Sequence, residues 1–129
     1  MKLLLDTHVL IWWVTDDPQL SSRSVEAIQE AESVCYSLIS FWEICLKLQK
    51  KKQNLPLSNS HLPMLRNTFA EDHFKEVSIA PDHCMSAALL PPHHRDPWDR
   101  LIIATAQSKE LTLVSKDRHF SKYDLPVIW

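Results

Sequence analysis

The chain has 129 residues and no glycine, although about 7% of the residues in an average protein are glycine. Glycine is needed where the backbone closely approaches a phosphate or adopts a positive φ angle. A GxxxxGK[ST] phosphate-binding loop, a GxGxxG dinucleotide turn and a GxSxG nucleophile elbow are therefore all absent. This composition excludes P-loop NTPases, Rossmann dehydrogenases and α/β-hydrolases.

Long apolar runs and paired cysteines are also scarce. The longest nearly uninterrupted apolar run, Val9 to Val14, is much shorter than the roughly 20 residues that a membrane span needs, and the first residues lack a signal-peptide pattern. The three cysteines, Cys35, Cys45 and Cys84, lie far apart in apolar stretches. The pattern predicts reduced core thiols in a cytoplasmic protein without membrane association.

An excess of positive charge is missing as well. The net charge is −2 with histidine neutral, so the chain cannot bind nucleic acid through bulk charge, and any such binding must be local. A run of lysines at Lys47, Lys50, Lys51 and Lys52 is one local candidate, but it also suits the solvated end of a helix. The ordinary content of apolar and charged residues predicts one globular domain over residues 1–129.

Short apolar runs alternate with helical patterns along the chain. Strands are predicted at Lys2–Leu5, Val34–Leu38, Glu76–Ile79, Thr112–Ser115 and Val127–Trp129. Helices are predicted at His8–Val14, Ser21–Glu32, Ile39–Lys50, Leu62–Asp72, Pro81–Leu90, Pro97–Lys109 and, as a short one, Arg118–Tyr123, with a loop over 53–63. This alternation predicts an α/β fold built on a parallel sheet. Without glycine, we expect positive φ angles at Asn54, Asn59 and Asn67.

Four carboxylates stand where such a fold builds its ligand site. Asp6 and Asp117 are the first acidic residues after two strand-like runs, Asp99 opens a helix, and Glu43 lies one turn into another. Ligands of parallel sheets bind beyond the carboxyl ends of the strands, so all four could converge there. Clustered carboxylates must hold protons or bind a hard cation such as Mg²⁺ or Mn²⁺. The chemistry implied is hydrolysis of phosphodiester bonds.

Each of these residues also has a purely structural interpretation. Asp96 is a good N-cap before a helical proline, with Asp99 three residues later as a capping partner. Asp6 and Asp117 could likewise cap the helices that follow them. Glu43 could simply pair with Lys47, which lies four residues further along the same helix.

Four segments taken together resemble the PIN-domain family, in particular the VapC-like toxins of type II toxin–antitoxin systems. The segments are LLLDTHVLIWW, SLISFWEICLK, HRDPWDRLIIATAQ and LTLVSKDRHFSKY. The resemblance implies a three-layer α/β/α sandwich around a parallel sheet. It also implies a metal-dependent ribonuclease that leaves a 5′-phosphate and a 3′-hydroxyl, is inhibited by a cognate antitoxin, and is commonly a homodimer.

The resemblance assigns roles to individual residues. The acidic metal-binding and catalytic positions match Asp6, Glu43, Asp99 and Asp117, and Asp96 belongs to the HxDPxDR variant of the motif. Under this hypothesis Asp6 and Asp99 hold Mg²⁺, for which Mn²⁺ can substitute, while Glu43 and Asp117 complete its shell. The hydroxyls of Thr7 and Ser115 could support these ligands, or they could form local turns.

Basic residues flank the acidic set. Arg95, Arg100 and Arg118, together with Lys47, could bind RNA phosphates, although arginines near carboxylates are as often ion-pair partners. His93 and His94 also lie nearby, but adjacent loop histidines without a cysteine or an HxxxH helix are poor zinc ligands.

Two further functions compete with this assignment. An aspartyl-phosphate phosphatase also has an aspartate after its first strand, but it needs a DxDxT-like second acid, whereas Thr7 and His8 follow Asp6 here. The stronger alternative is a catalytically silent PIN-like module that binds RNA or protein. The presence of all four acids favours the enzyme.

Overall fold

The computed structural model of the protein describes residues 1–50 and 57–129. Within these residues, five strands form one sheet in the order β3-β2-β1-β4-β5, and every neighbouring pair is parallel. The strands are β1 (Lys2–Leu5), β2 (Ser33–Ser37), β3 (Phe74–Val77), β4 (Thr112–Val114) and β5 (Val127–Ile128). The helices are α1 (Thr7–Val14), α2 (Ser22–Glu30), α3 (Leu38–Gln49), α4 (Leu62–Glu71), α5 (Pro81–Leu89) and α6 (Pro97–Ser108), with 3₁₀ helices at Asn59–His61 and Arg118–Lys122.

The sheet is covered by helices on both faces. Successive side chains of a strand point to opposite faces, and in β1 the side chains of Leu3 and Leu5 join one apolar cluster while Leu4 joins the other. The first cluster contains buried residues of α1, α2, α3 and α4, and the second contains buried residues of α6. The three-layer α/β/α sandwich is therefore confirmed, and β1 is buried on both faces because it is central.

Several element bounds differ from those predicted. β3 begins at Phe74 rather than Glu76, because Phe74 pairs in register with Val34 of β2 and its side chain is buried in the core. α2 ends at Glu30, since the amide of Glu32 donates to the carbonyl of Met1 and the chain then enters β2. The loop predicted at 53–63 contains the first 3₁₀ helix, and 51–56 lie outside the described residues.

The cysteines differ in part from their predicted environment. Cys35 and Cys45 are half-buried, but Cys84 is exposed on α5, so it is not a core thiol. All three are free thiols, as the sequence predicted.

The prediction of positive φ angles was wrong at Asn59 and Asn67. Asn59 lies in a 3₁₀ helix and Asn67 in α4, while Asn54 lies outside the described residues. Positive φ angles among the described residues occur instead at Asp16 (51°), His73 (62°) and Glu110 (54°). Each follows the C-cap residue of a helix, where glycine usually supplies the left-handed conformation. Among the described residues, the left-handed conformation therefore occurs directly after helix ends.

Candidate functional site

The carboxyl ends of β1 and β4 meet at the centre of the sheet. β1 continues to β2 and β3 on one side, whereas β4 and β5 lie on its other side, so the strand order reverses between β1 and β4. The amide of Asp6, the first residue after β1, donates to the carbonyl of Val114, the last residue of β4, at 3.0 Å. Ligand sites of open parallel sheets lie at such reversals.

Asp6 is buried at this point, with 6% of its surface exposed. Its Oδ1 accepts a 2.8 Å hydrogen bond from the amide of Thr7 and caps α1, and its Oδ2 accepts a 2.8 Å hydrogen bond from the hydroxyl of Ser115. Burial raises the pKa of Asp6 despite both hydrogen bonds, which favour the charged form. The side chain is thus fixed in orientation, and burial destabilises its ionised form.

Glu43 reaches the same region from α3. Its Oε1 lies 3.1 Å from the hydroxyl of Thr7, which in turn lies 3.0 Å from the hydroxyl of Ser40. Burial raises the pKa of Glu43, and the charges of Asp6 and Asp96 raise it further. No ion pair within 4.0 Å joins Glu43 to Lys47 in the described part of the chain, so the predicted pairing within the helix is absent.

Asp99 lies in the first turn of α6, where Asp96 is the N-cap. The Oδ1 of Asp96 accepts hydrogen bonds from the amides of Trp98 (2.8 Å) and Asp99 (3.4 Å), so its predicted capping role is observed. The side chain of Asp99 does not complete a capping box, and its Oδ2 lies 3.0 Å from Nε2 of His94 instead. Burial raises the pKa of Asp99 to about 8, with further contributions from Asp6, Asp96, Glu43 and Asp117.

Asp117 differs from Asp99 in its electrostatics. It caps the second 3₁₀ helix, and its Oδ1 lies 2.9 Å from both the amide and the Nδ1 of His119. Burial opposes its ionisation, but the hydrogen bonds from the amide and ring of His119 and from His94 lower the pKa of Asp117 overall. Two neighbouring aspartates thus have pKa values shifted in opposite directions.

His94 lies between these two aspartates. Its Nε2 is 3.0 Å from Asp99 Oδ2 and 3.2 Å from Asp117 Oδ2. Among the described residues, this trio is the group whose candidate ligand atoms all lie within 4.8 Å of one another. In the sequence, His94 is marked as the first residue of the HxDPxDR motif and by its closeness to Asp96 and Asp99. Its contact with Asp117 was not predictable, because the two residues lie 23 positions apart.

Arg100 has a structural role that its position in the sequence did not indicate. Its guanidinium donates to the carbonyl oxygens of Ala87, Leu90, Pro91 and His94 at 2.7 to 3.2 Å. These bonds tie the end of α5 and the following loop to α6, and they occupy the group that would otherwise bind a phosphate. Within the described residues, Arg100 makes no ion pair with a carboxylate, so that alternative is not observed. The RNA contact of Arg100 stays a prediction.

The other predicted basic residues remain available at the surface. Arg95 and Arg118 are exposed, one before α6 and the other directly after Asp117, and half-buried Lys47 lies on α3. A surface cavity of about 290 Å³ opens beside the acidic cluster and is lined by Asp6, His8, Trp12, Gln19, Lys116 and Asp117. A ligand in this cavity would contact two of the four carboxylates.

The donor set fits a hard divalent cation. Carboxylate oxygens are the preferred ligands of Mg²⁺ and Mn²⁺, and the mutual repulsion that raises the pKa of Asp99 is relieved when a cation binds. Candidate ligand oxygens of Asp99 and Asp117 lie within 4.8 Å of each other, and the charges of Asp6 and Glu43 also act on Asp99. Asp96 is exposed, and its Oδ1 is engaged in capping.

Comparison with known proteins gives consistent matches. A family model described as PIN domain matches residues 3–125. Ribonuclease VapC22 of Mycobacterium tuberculosis (strain ATCC 25618 / H37Rv) is 33% identical over 127 residues, which cover 96% of this chain and 93% of that protein.

Solved structures with little sequence identity share the fold. VapBC2 from Rickettsia felis, crystallised with a DNA fragment from its promoter, has a TM-score of 0.74 at 16% identity and covers 99% of this chain and 98% of its own. VapC20 of Mycobacterium tuberculosis, a Sarcin-Ricin loop cleaving toxin, has a TM-score of 0.71 at 10% identity and covers 95% of each chain. Within residues 1–50 and 57–129, no helix is long and apolar enough to cross a bilayer.

Proposed function

The chain belongs to the PIN domain family, and from this premise we propose that it is a metal-dependent ribonuclease acting as the toxin of a type II toxin–antitoxin pair. The name of the relative that is 33% identical supports ribonuclease activity, and the VapBC complexes of similar fold support an antitoxin partner. We further propose that residues 1–129 form a single PIN domain that works in the cytoplasm.

One observation carries the proposal. The Asp99 carboxyl has a pKa of about 8 because burial and four surrounding carboxylates disfavour its charge. A protein retains such a destabilising arrangement when a ligand offsets it, and a divalent cation is the ligand that matches acidic oxygen donors. Mg²⁺ fits best, and Mn²⁺ can substitute because it accepts the same donors.

The residues that would hold the cation are Asp6, Glu43, Asp99 and Asp117. When bound, the cation lowers the pKa of an attacking water and neutralises charge on the scissile phosphate. The chain itself orients the donors: the hydroxyl of Ser115 fixes one oxygen of Asp6, and the hydroxyl of Thr7 contacts Glu43. Asp96 holds the helix start that presents Asp99 and serves at most as an outer ligand.

The RNA backbone would be bound by cations around this cluster. Arg95 and Arg118 are exposed and adjoin Asp96 and Asp117 in the chain, and Lys47 acts electrostatically on Glu43. Such contacts position an RNA chain without reading its sequence. Lys116, at the edge of the 290 Å³ cavity, lies 5.9 Å from the ring centre of Trp12 and adds positive charge beside Asp117.

Cleavage of RNA by the purified protein tests the proposal. We expect activity with Mg²⁺ or Mn²⁺, none with EDTA, and none in the Asp6→Asn and Asp99→Asn variants. Asp82→Asn is the matched control, because Asp82 also lies in the first turn of a helix but is exposed on α5. Equal activity in all four proteins would indicate a contaminating nuclease, and RNA retention without cleavage would support the silent binding module.

The partners are tested separately. A small antitoxin-like reading frame immediately upstream, whose product co-purifies with this protein and abolishes its nuclease activity, would support the antitoxin. We also propose a homodimer, supported by exposed apolar side chains spaced four residues apart on α3 and α5; they are Leu38, Trp42, Met85 and Leu89. Sedimentation equilibrium should give twice the monomer mass, and a monomer at micromolar concentration would contradict the dimer.

A further inference from the structure

His94 is held in a single orientation by contacts along its whole length. Its amide donates to the Tyr123 hydroxyl at 2.7 Å, and its carbonyl accepts from Arg100 at 3.2 Å. The centre of its ring lies 5.5 Å from the centre of the Phe120 ring, and only 13% of the His94 side chain is exposed. The imidazole therefore has little freedom to move relative to α6 and the second 3₁₀ helix.

The hydrogen bonds of the ring define its tautomer. The backbone amide of Asp96 points at Nδ1 of His94 at a distance of 3.3 Å. Because a backbone amide can only donate, Nδ1 must carry a lone pair, and the proton of the neutral ring must lie on Nε2. Nε2 then faces Asp99 Oδ2 and Asp117 Oδ2, at 3.0 and 3.2 Å, as a donor.

We propose that His94 is a positioning residue of the metal site, whose Nε2–H bridges the Asp99 and Asp117 carboxylates and holds them together without binding the cation itself. This inference rests on the proposed function, because it names what orients two of the proposed metal donors. It also gives a role to His94, the first residue of the HxDPxDR motif, which is not one of the proposed acidic metal ligands.

Ligation by His94 itself would require a different arrangement. To offer a lone pair from Nε2, the ring would have to move its proton to Nδ1, where it would oppose the amide proton of Asp96. The bridge instead leaves the remaining oxygen of Asp99 free to face a cation. Hydrogen bonds of this kind commonly set the affinity of a metal site by orienting its ligands.

Binding of Mn²⁺ and of Mg²⁺ to variants of the intact protein tests the inference by calorimetry. His94→Phe keeps the ring packing but removes both nitrogens, and we expect it to weaken binding of both cations by about 10- to 100-fold. His94→Gln can accept from the Asp96 amide and donate to the carboxylates, so it should restore affinity to within about fivefold. His93→Phe is the control, because His93 is exposed and contacts the Tyr123 ring instead.

Two results would overturn the inference. Unchanged cation affinity in folded His94→Phe would show that the bridge does not matter. A loss confined to Mn²⁺, with no rescue by His94→Gln, would show that the imidazole is a ligand, since imidazole suits Mn²⁺ better than Mg²⁺. Thermal melting of each variant without added cation confirms that the compared proteins are folded.

A spectroscopic measurement gives a second readout. In ¹⁵N spectra of the imidazole, we expect Nε2 of His94 to remain protonated when the wild-type protein is saturated with Mg²⁺. Loss of that proton on saturation would contradict the inference. Wild-type protein that neither binds a cation nor cleaves RNA would defeat the proposed function and this inference together, whereas normal wild-type binding and cleavage with unaffected His94→Phe would defeat this inference alone.

Discussion

A residue near each end of α6 is in an energetically unfavourable state, and the physical reason differs between the two ends. At its start, Asp99 is buried among other carboxylates, which raises its pKa to about 8. Just beyond its end, Glu110 adopts a φ angle of 54°, in the left-handed region that penalises a residue with a β-carbon. One end is strained electrostatically and the other sterically.

Their surroundings differ as well. The start of α6 is connected to a distant segment, because Nε2 of His94 contacts Asp99 and also Asp117, which follows β4. The end of α6 is closed locally, because the amide of Leu111 donates to the carbonyl of Ala106 at 2.9 Å. The strain at the start of α6 is thus associated with a proposed ligand, whereas the strain at its end accompanies a local turn of the chain. Substitutions at the two ends should therefore separate stability from activity.

The largest effect is expected from Asp99→Asn. Loss of one direct metal donor should lower the rate of RNA cleavage by at least about 100-fold, since loss of outer partners alone commonly costs 10- to 100-fold. Initial rates with saturating Mg²⁺ check the prediction. Activity within a factor of a few of wild type would show that Asp99 is not required for cleavage. It would also show that the two ends of α6 do not differ in their importance for activity.

The same substitution should change how stability depends on pH. In the folded protein without cation, the pKa of Asp99 is raised from 3.8 to about 8, so the folded state binds the proton more tightly than the unfolded state. Its contribution to stability is full below pH 4 and is lost as the pH rises toward 8.

Chemical denaturation at several pH values with EDTA measures this dependence. We expect the wild-type free energy of unfolding to decline over this range relative to that of Asp99→Asn. Parallel curves for the two proteins would contradict the raised pKa. Added Mg²⁺ should stabilise the wild type most at pH 8, where the carboxylate is free to bind it.

Arg100→Lys tests whether the start of α6 depends on its connection to α5. A lysine cannot donate to four carbonyls at once, so we expect a loss of about 2 kcal/mol in the free energy of unfolding. Urea denaturation measures it, with Arg95→Lys as the exposed control. A change only in the salt dependence of RNA binding, with stability intact, would instead return Arg100 to the RNA-binding set.

Glu110→Gly should have the smallest effect, and in the opposite direction. Glycine adopts the left-handed conformation without a steric penalty, so we expect a gain of about 1 kcal/mol in stability and no change in RNA cleavage. Lys109→Gly is the matched control, because Lys109 has a φ angle of −100° and gains nothing from glycine. A loss of activity in folded Glu110→Gly would show that the end of α6 also serves the site.

Much of the fold followed from local pattern. The apolar run of β1, the N-cap at Asp96 and the amphipathic α6 are encoded within a few residues of each other, so their periodicity and capping signals were readable. The start of β3 could not be predicted from local pattern, because its register depends on pairing with β2, about 40 residues away. The positive φ angles were misplaced because side-chain type predicts them only weakly, whereas helix termination demands them.

Local sequence pattern was sufficient to specify the alternation of strands and helices and to place four acidic residues at strand ends and near the starts of helices. Those features depend on local backbone preference and hydrophobic period. Which groups come into contact depends on tertiary packing, which places His94 between Asp99 and Asp117 and directs Arg100 to backbone carbonyls. The reason is physical, because distances and burial arise from packing of segments far apart in the chain, and pKa values follow from both.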